Sequence, residues 1–285
     1  MKRQLKYLAR RLLPQSLVQL IKAMYARDFN RSNLPPVALA EMDGFIRCTV
    51  GDLRPFDAPF DCKSELVHYA STDEGRSEFA EIARYSRRGG LLFDIGAHTG
   101  LMSALFCAGN PANRAICIEP SPALQRRIEA MRILGNFGER LRIEPVAIGE
   151  KPGQLTMLVD PVGGFVQTQR FDHSMWGEPQ ELEVQVESIP SLAARLGIVP
   201  DFIKIDIEGY EYEAVQGAIA FFREHRPVLF FELHLNYLEE RRLSPKHLVK
   251  MLSECGYMFR SYADRELSAH SIYDSPLANV RFICQ

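Results

Sequence analysis

The chain has 285 residues, 46% of them hydrophobic and 25% charged, with a formal net charge of -2. This fits one large globular domain, or one domain with a substantial extension, and gives no reason to expect nucleic acid as a partner. No apolar run approaches a membrane span, and the N-terminus lacks the apolar core and cleavage site of a secretory signal.

The charge is uneven along the chain. Residues 1–31 carry eight basic side chains (Lys2, Arg3, Lys6, Arg10, Arg11, Lys22, Arg27, Arg31) against Asp28 alone, so this segment is +7 and the remainder -9. Pro14 divides it: Leu5, Leu8 and Leu12 share one helical face, and Leu17, Ile21 and Met24 another. A basic amphipathic helix lies on an anionic membrane, or packs its stripe on the parent domain or a second subunit, and amphipathicity alone does not separate these partners. Residues 33–72 are irregular, with Pro35, Pro36, Pro55 and Pro59 among short β-like pieces, and no chemistry is readable there. We place a basic, helical and irregular N-terminal extension over residues 1–74 and the main domain over 75–285.

From Ser77–Tyr85, a predicted helix, the chain becomes regular. Leu91–Ile95 reads as a strand running into Gly96, with Leu101–Ala108 opening the next helix. Ala115–Ile118 is a second strand, ending at Glu119-Pro120, where Ser121 can cap a helix reaching about Leu134 with Pro122 at its first position. Leu141–Ile148 reads as a third strand. Leu155–Val159 and Leu182–Val186 alternate as strands around an aromatic insert, 163–180, containing Phe165, Phe171, His173 and Trp176, which reads either as a flap over a substrate or as a plain surface loop. Phe202–Ile207 is a buried strand, Tyr210–Arg223 a helix and Pro227–Leu233 a strand ending at His234. Lys246–Cys255 is a helix, and Met258–Tyr262 and Val280–Cys284 are candidate last strands. Strands alternating with helices imply a mostly parallel sheet with helices on both faces. The six cysteines form no C-x-x-C pair, which argues against a zinc or redox site and points to a reducing, cytoplasmic compartment.

Parallel strands bring their carboxyl ends to one edge, where open α/β sheets bind ligands. That edge gathers Asp94, Gly96, Glu119, Asp206, Glu208, Glu232 and His234. In Asp94-Ile95-Gly96-Ala97-His98-Thr99-Gly100 the second glycine of a dinucleotide fingerprint is replaced by His98, and the third by Leu101. A side chain stands where a pyrophosphate would press, so a nucleoside without a diphosphate, such as S-adenosylmethionine (SAM), fits better than NAD. Glu119, 25 residues after Asp94, stands near the spacing at which a carboxylate meets ribose hydroxyls.

These residues, together with Phe202-Ile203-Lys204-Ile205-Asp206-Ile207-Glu208-Gly209-Tyr210-Glu211 and Phe231-Glu232-Leu233-His234, resemble the FkbM-type methyltransferases over roughly residues 75–262. The K-I-D-x-E-G-x-E block is the specific part. The family often carries Asn where His98 stands, and Ser188-Ile189-Pro190 replaces a frequent T-L-D. The resemblance implies a class I SAM-methyltransferase (Rossmann-like) fold and O-methylation, commonly of a sugar hydroxyl in a glycan or glycolipid, or of a natural product. On this reading Asp94, Gly96, Ala97, His98, Gly100, Glu119, Pro120, Ser121, Ala147 and Asp206 hold SAM. His234 is the first candidate base because its ordinary pKa is near neutrality. Asp206 is the second, its pKa expected to rise beside Glu208, and Glu208 completes the catalytic set. Asp206, Glu208, Glu232 and His234 could form a magnesium site, but nothing in the spacing requires one, and no metal is assigned. A Rossmann-type oxidoreductase and a non-catalytic SAM-binding module are the alternatives; His98 argues against the first and the full set of edge residues against the second.

Overall fold

The computed structural model describes residues 34–159 and 180–285, and the backbone of Val166–Gln167. The basic segment 1–31 and the insert's Phe165, Phe171, His173 and Trp176 lie outside the described residues. Among the described residues no helix is long and apolar enough to cross a membrane.

The chain opens with an antiparallel meander, β1 (Val37–Glu41), β2 (Phe45–Val50) and β3 (Phe56–Pro59), followed by helices α1 (Lys63–Ser71) and α2 (Asp73–Ser86). Residue 74, the expected end of the extension, lies in the first turn of α2. The alternating part runs β4 (Leu91–Ile95), α3 (Leu101–Gly109), β5 (Arg114–Ile118), α4 (Pro122–Leu134) and β6 (Leu141–Glu144). A smaller sheet follows, from β7 (Ala147–Ile148), β8 (Gly153–Val159), β9 (Val166–Gln167) and β10 (Gln180–Glu187). Then come α5 (Ile189–Leu196), β11 (Phe202–Ile205), α6 (Glu211–His225), β12 (Val228–His234), α7 (Leu235–Glu240) and α8 (Pro245–Glu254). The chain ends with β13 (Phe259–Arg260), β14 (Glu266–Leu267), α9 (Ala269–Tyr273) and β15 (Asn279–Cys284).

The main sheet has the order β14-β13-β15-β12-β11-β4-β5-β6. β6, β5, β4, β11 and β12 are parallel, and β15 runs antiparallel against β12. Strand order reverses at β4: the chain first builds outward through β5 and β6, then returns to lay β11 on the other side. A crevice opens at such a switch point, beyond the carboxyl ends of β4 and β11. The register pairs Asp94 with Lys204 and Ile95 with Ile205, so the Gly96 turn and the Asp206 loop leave the sheet side by side.

Both faces of the sheet are covered, which is why its strands read as continuous apolar runs. Leu91, Phe93 and Ile95 pack in one core with α5, α6 and α8, while Leu92 faces a second core with α2, α3 and the meander. Local signals fix several helix starts. Ser121 caps α4 with Pro122 at its first position, and Thr72 caps α2 by accepting from the Gly75 amide at 3.0 Å. Ser188 and Ser191 form a reciprocal capping box that opens α5, which gives a structural role to the segment departing from the family pattern.

One expected element is corrected. Leu141–Ile148 is two strands in two sheets, because Pro145 has no N–H with which to continue the ladder. β6 stays on the main sheet, whereas β7 pairs in parallel with β10.

Candidate active site

The glycine turn is shaped by contact rather than by flexibility. Gly96 has φ +76°, and a Cβ there would stand 2.0 Å from the Asp206 carbonyl oxygen, so only glycine lets β4 and β11 meet so closely. His98 also takes a left-handed conformation, φ +53°, and Gly100 does so at φ +78° where α3 begins. Glu119 fixes this turn to β5. Its two oxygens accept from the His98 amide at 3.0 Å and the Ser121 amide at 2.9 Å. Burial pushes the Glu119 carboxyl up to about 7, and the two amides pull against that rise. Asp94 is buried below the turn, where one oxygen accepts from Ser103 Oγ at 2.7 Å and Oδ1 has no hydrogen-bond partner among the described residues. Burial raises its pKa as well, and Lys204 opposes the rise.

On the other side of the switch point, Lys204 Nζ donates to Asp206 Oδ2 at 2.9 Å. Burial pushes the Asp206 carboxyl up, but Lys204 and His234 overcome it and hold the group at about 2. The expectation of a raised Asp206 pKa is therefore corrected: a buried ammonium at hydrogen-bond distance outweighs neighbouring carboxylates. Glu208 is the raised group instead, carried to about 7 by burial despite the pull of His234. Its backbone is left-handed, φ +51°, and Gly209 follows at φ +98°.

His234 ends β12 in the middle of these acids. Its Nδ1 is 2.7 Å from Glu211 Oε1, and its Nε2 lies 3.4 Å from Glu208, 3.8 Å from Glu232 and 4.0 Å from Asp206. Burial disfavours the imidazolium, but Glu211 and then Glu208 and Asp206 reverse the balance and raise the pKa to about 10. The ground for making His234 the first candidate base, an ordinary pKa near neutrality, is thus also corrected. Glu232 is committed elsewhere, accepting from Asn279 and from Arg281 Nε, the latter at 2.6 Å. Asp206, Glu208 and His234 can bring one ligand atom each within 4.8 Å of one another. Lys204 and protonated His234 already supply positive charge there.

A cleft joins Glu119 to Asp206 and Glu208, and His234 is not among its lining residues. Asp94, Gly96, Ala97, His98, Glu119, Pro120, Asp206 and Glu208 all line it. An adjoining recess of about 440 Å³ is mostly apolar, with Ile118, Ala147, Ile148, Leu155 and Tyr210 in its wall. Gly100 and Ser121 stand behind the cleft: Gly100 faces Ile128, and Ser121 caps α4 while its amide holds Glu119. Sequence reasoning missed Glu65, His68 and Tyr69 of α1, together with Met157 and Arg281, which also line the cleft. Their separation along the chain left no local signal.

A family model for the methyltransferase FkbM domain matches residues 94–259. No curated protein matches the sequence significantly. Among solved structures, the methyltransferase FkbM from Methylobacillus flagellatus KT is similar at 18% identity and TM-score 0.41, covering 69% of this chain and 43% of that one. An O-methyltransferase family protein from Burkholderia thailandensis is similar at 9% identity and TM-score 0.40, covering 78% and 58%. The chain thus spans less than half of the first structure's length. The main sheet, with its reversal at β4 and antiparallel β15, has the expected class I arrangement. The matched segment is more than half of the chain, and the chain belongs to the FkbM family of SAM-dependent methyltransferases.

Proposed function

We propose that this enzyme methylates a hydroxyl of a carbohydrate, glycolipid or related small metabolite. The observation that carries the proposal is the meeting, in one cleft, of an amide-held Glu119 with Asp206 and Glu208, the latter 3.4 Å from the buried His234. The residues fit SAM. The Glu119 carboxylate suits a ribose diol, the recess around Ala147 suits an apolar-faced base, and the unpartnered Asp94 Oδ1 and ionised Asp206 suit a cationic methionine end. Gly96, Ala97, His98 and Pro120 form the wall between these parts, with Gly100 and Ser121 supporting it from behind.

When bound, SAM supplies a methyl group made electrophilic by its sulfonium. Glu119, Asp94 and Asp206 would hold SAM as it gives up that methyl group to the acceptor oxygen and leaves as the neutral thioether. The hydroxyl proton passes to a carboxylate. Glu208 suits that task because its pKa of about 7 lets it both ionise and accept a proton near neutrality. Asp206 remains anionic and orients the hydroxyl or the methionine amine. His234, pinned by Glu211, is the cation that holds the cluster together. Positioning of the acceptor hydroxyl by these residues would provide much of the acceleration.

The test is calorimetric titration of cofactor-free protein with SAM, with NADH as control. Wild-type protein binds SAM, and Glu119→Ala weakens binding by about 10- to 100-fold, the loss expected for hydrogen bonds to a charged acceptor. Mass spectrometry of a panel of neutral, amino and acidic sugars and glycolipids incubated with SAM then identifies the acceptor. Methylation confined to nitrogen or carbon would overturn the proposed chemistry. We also assign the basic segment 1–31 to contact with an anionic membrane surface, where lipid-linked glycans are available.

A further inference from the structure

The family match begins at Asp94, yet one wall of the cleft comes from before it. α1 brings Glu65, His68 and Tyr69 to the lining, and Glu65 touches the glycine turn itself. Thr99 Oγ1 donates to Glu65 Oε2 at 2.6 Å, and His98 Nδ1 lies 3.5 Å from the same oxygen. The turn is therefore held from two sides, since the His98 amide donates to Glu119. His98 requires such holding. A non-glycine residue at φ +53° is sterically disfavoured, and the conformation persists only where its surroundings impose it.

α1 is itself firmly seated. The Tyr69 ring stacks on Phe79 of α2 at 4.6 Å between centroids. Gly75 lets the two helices approach, for a Cβ there would lie 2.7 Å from the Tyr69 Cα. Leu66 of α1 is fully buried in the core shared with β4 and α3. A rigid helix thus presents one carboxylate to two consecutive residues of the turn.

We infer that Glu65 is a positioning residue for SAM, acting through Thr99 and His98 to keep the turn in its cofactor-receiving conformation. α1, outside the matched segment, is by this assignment part of the methyltransferase site. The inference rests on the reading of the cleft as the SAM site. Its chemistry is specific: the Thr99 hydroxyl is a donor, and it is almost completely buried, so removing the carboxylate leaves it only the weakly accepting Cys62 sulfur. Glutamine at position 65 keeps an acceptor oxygen and loses only the charge. Valine at position 99 keeps the shape and loses the donor.

The experiment is calorimetric titration of the full chain with SAM, and separately with the demethylated product S-adenosylhomocysteine. The variants are Glu65→Ala, Glu65→Gln and Thr99→Val, each with a thermal unfolding midpoint measured alongside. Glu65→Ala and Thr99→Val weaken both ligands about tenfold, because both ligands use the same turn, while Glu65→Gln stays within about threefold of wild type. Recovery by glutamine is a readout that general loosening of the fold would not produce. Should Glu65→Ala fail to fold, Thr99→Val carries the test from the other end of the same hydrogen bond. Affinities within about twofold of wild type in folded Glu65→Ala or Thr99→Val overturn the inference. So does a loss in Glu65→Gln equal to that in Glu65→Ala and confined to SAM, which would mark direct contact with the ligand's positive charge. Failure of the wild-type chain to bind SAM removes the parent reading instead, and the two failures are told apart by that control.

Discussion

Glu208 and His234 stand 3.4 Å apart, and their surroundings move both proton affinities upward. Burial lifts Glu208 from 4.5 to about 7, while Glu211 and the other acids, against burial, lift His234 from 6.5 to about 10. If ionised Glu208 accepts the proton, turnover at saturating SAM rises as pH increases through about 7. It falls again as His234 loses its charge near 10. Saturation matters, because Glu119 also titrates at about 7 and would otherwise add a binding limb in the same region. Glu208→Gln should reduce kcat by about 10²- to 10⁴-fold, the usual range for loss of a general base, and abolish the acidic limb. A steady-state pH–rate profile of both proteins checks this. The same shifts make stability fall as pH rises, through two different windows. His234 binds its proton more tightly folded than unfolded, so its contribution is complete below about pH 6.5 and is lost as pH rises through about 10. Glu208, also raised, favours the folded state only while protonated, and its effect turns unfavourable as pH rises from 4.5 through about 7.

At the scale of elements, the contact between β4 and β11 decides whether a site exists. In Gly96→Ala the new methyl meets the Asp206 carbonyl at 2.0 Å, and alanine must also adopt φ +76°. The conformation alone costs about 1–2 kcal/mol, and the clash is with backbone, which cannot rotate away. Chemical denaturation should show a lower midpoint, and SAM binding should be lost even at temperatures where the variant is folded. The strand ends that converge here were legible because buried parallel strands read as apolar runs, which places Asp94, Glu119, Asp206 and Glu208 at one edge. Even the Lys204–Asp206 pair is written in the period of a strand, where residues two apart share a face. The break at Pro145 had its cause in view, but only pairing with β10, some forty residues later, shows where β7 goes. Glu65 was not legible, since its partner Thr99 lies 34 positions away, beyond α2 and β4. For the same reason the raised His234 pKa was not legible: Glu211 is 23 positions distant, and only the fold brings it to Nδ1.

Across the whole molecule, charge is separated by sequence: +7 over residues 1–31 and -9 over the rest. The segment lies outside the described residues, and its charge and pattern point to an anionic surface. An anionic bilayer attracts basic residues near its surface by about 1 kcal/mol each, and the acidic remainder is repelled by the same surface. The enzyme should therefore bind vesicles containing phosphatidylserine through this end, leaving the acidic body away from the lipid. Such attraction decays within a Debye length of about 8 Å at physiological ionic strength, so co-sedimentation should weaken steeply as salt is added. Vesicles of phosphatidylcholine alone should retain less protein. Removing residues 1–31 should abolish sedimentation while leaving SAM affinity unchanged, because the described lining of the cleft comes from residues beyond that segment. Salt-independent binding, or binding kept by the shortened chain, would instead assign the amphipathic stripes to a protein partner. It would also detach the lipid-linked acceptor from its strongest support, since the cleft's hydroxyl chemistry serves a free sugar equally well.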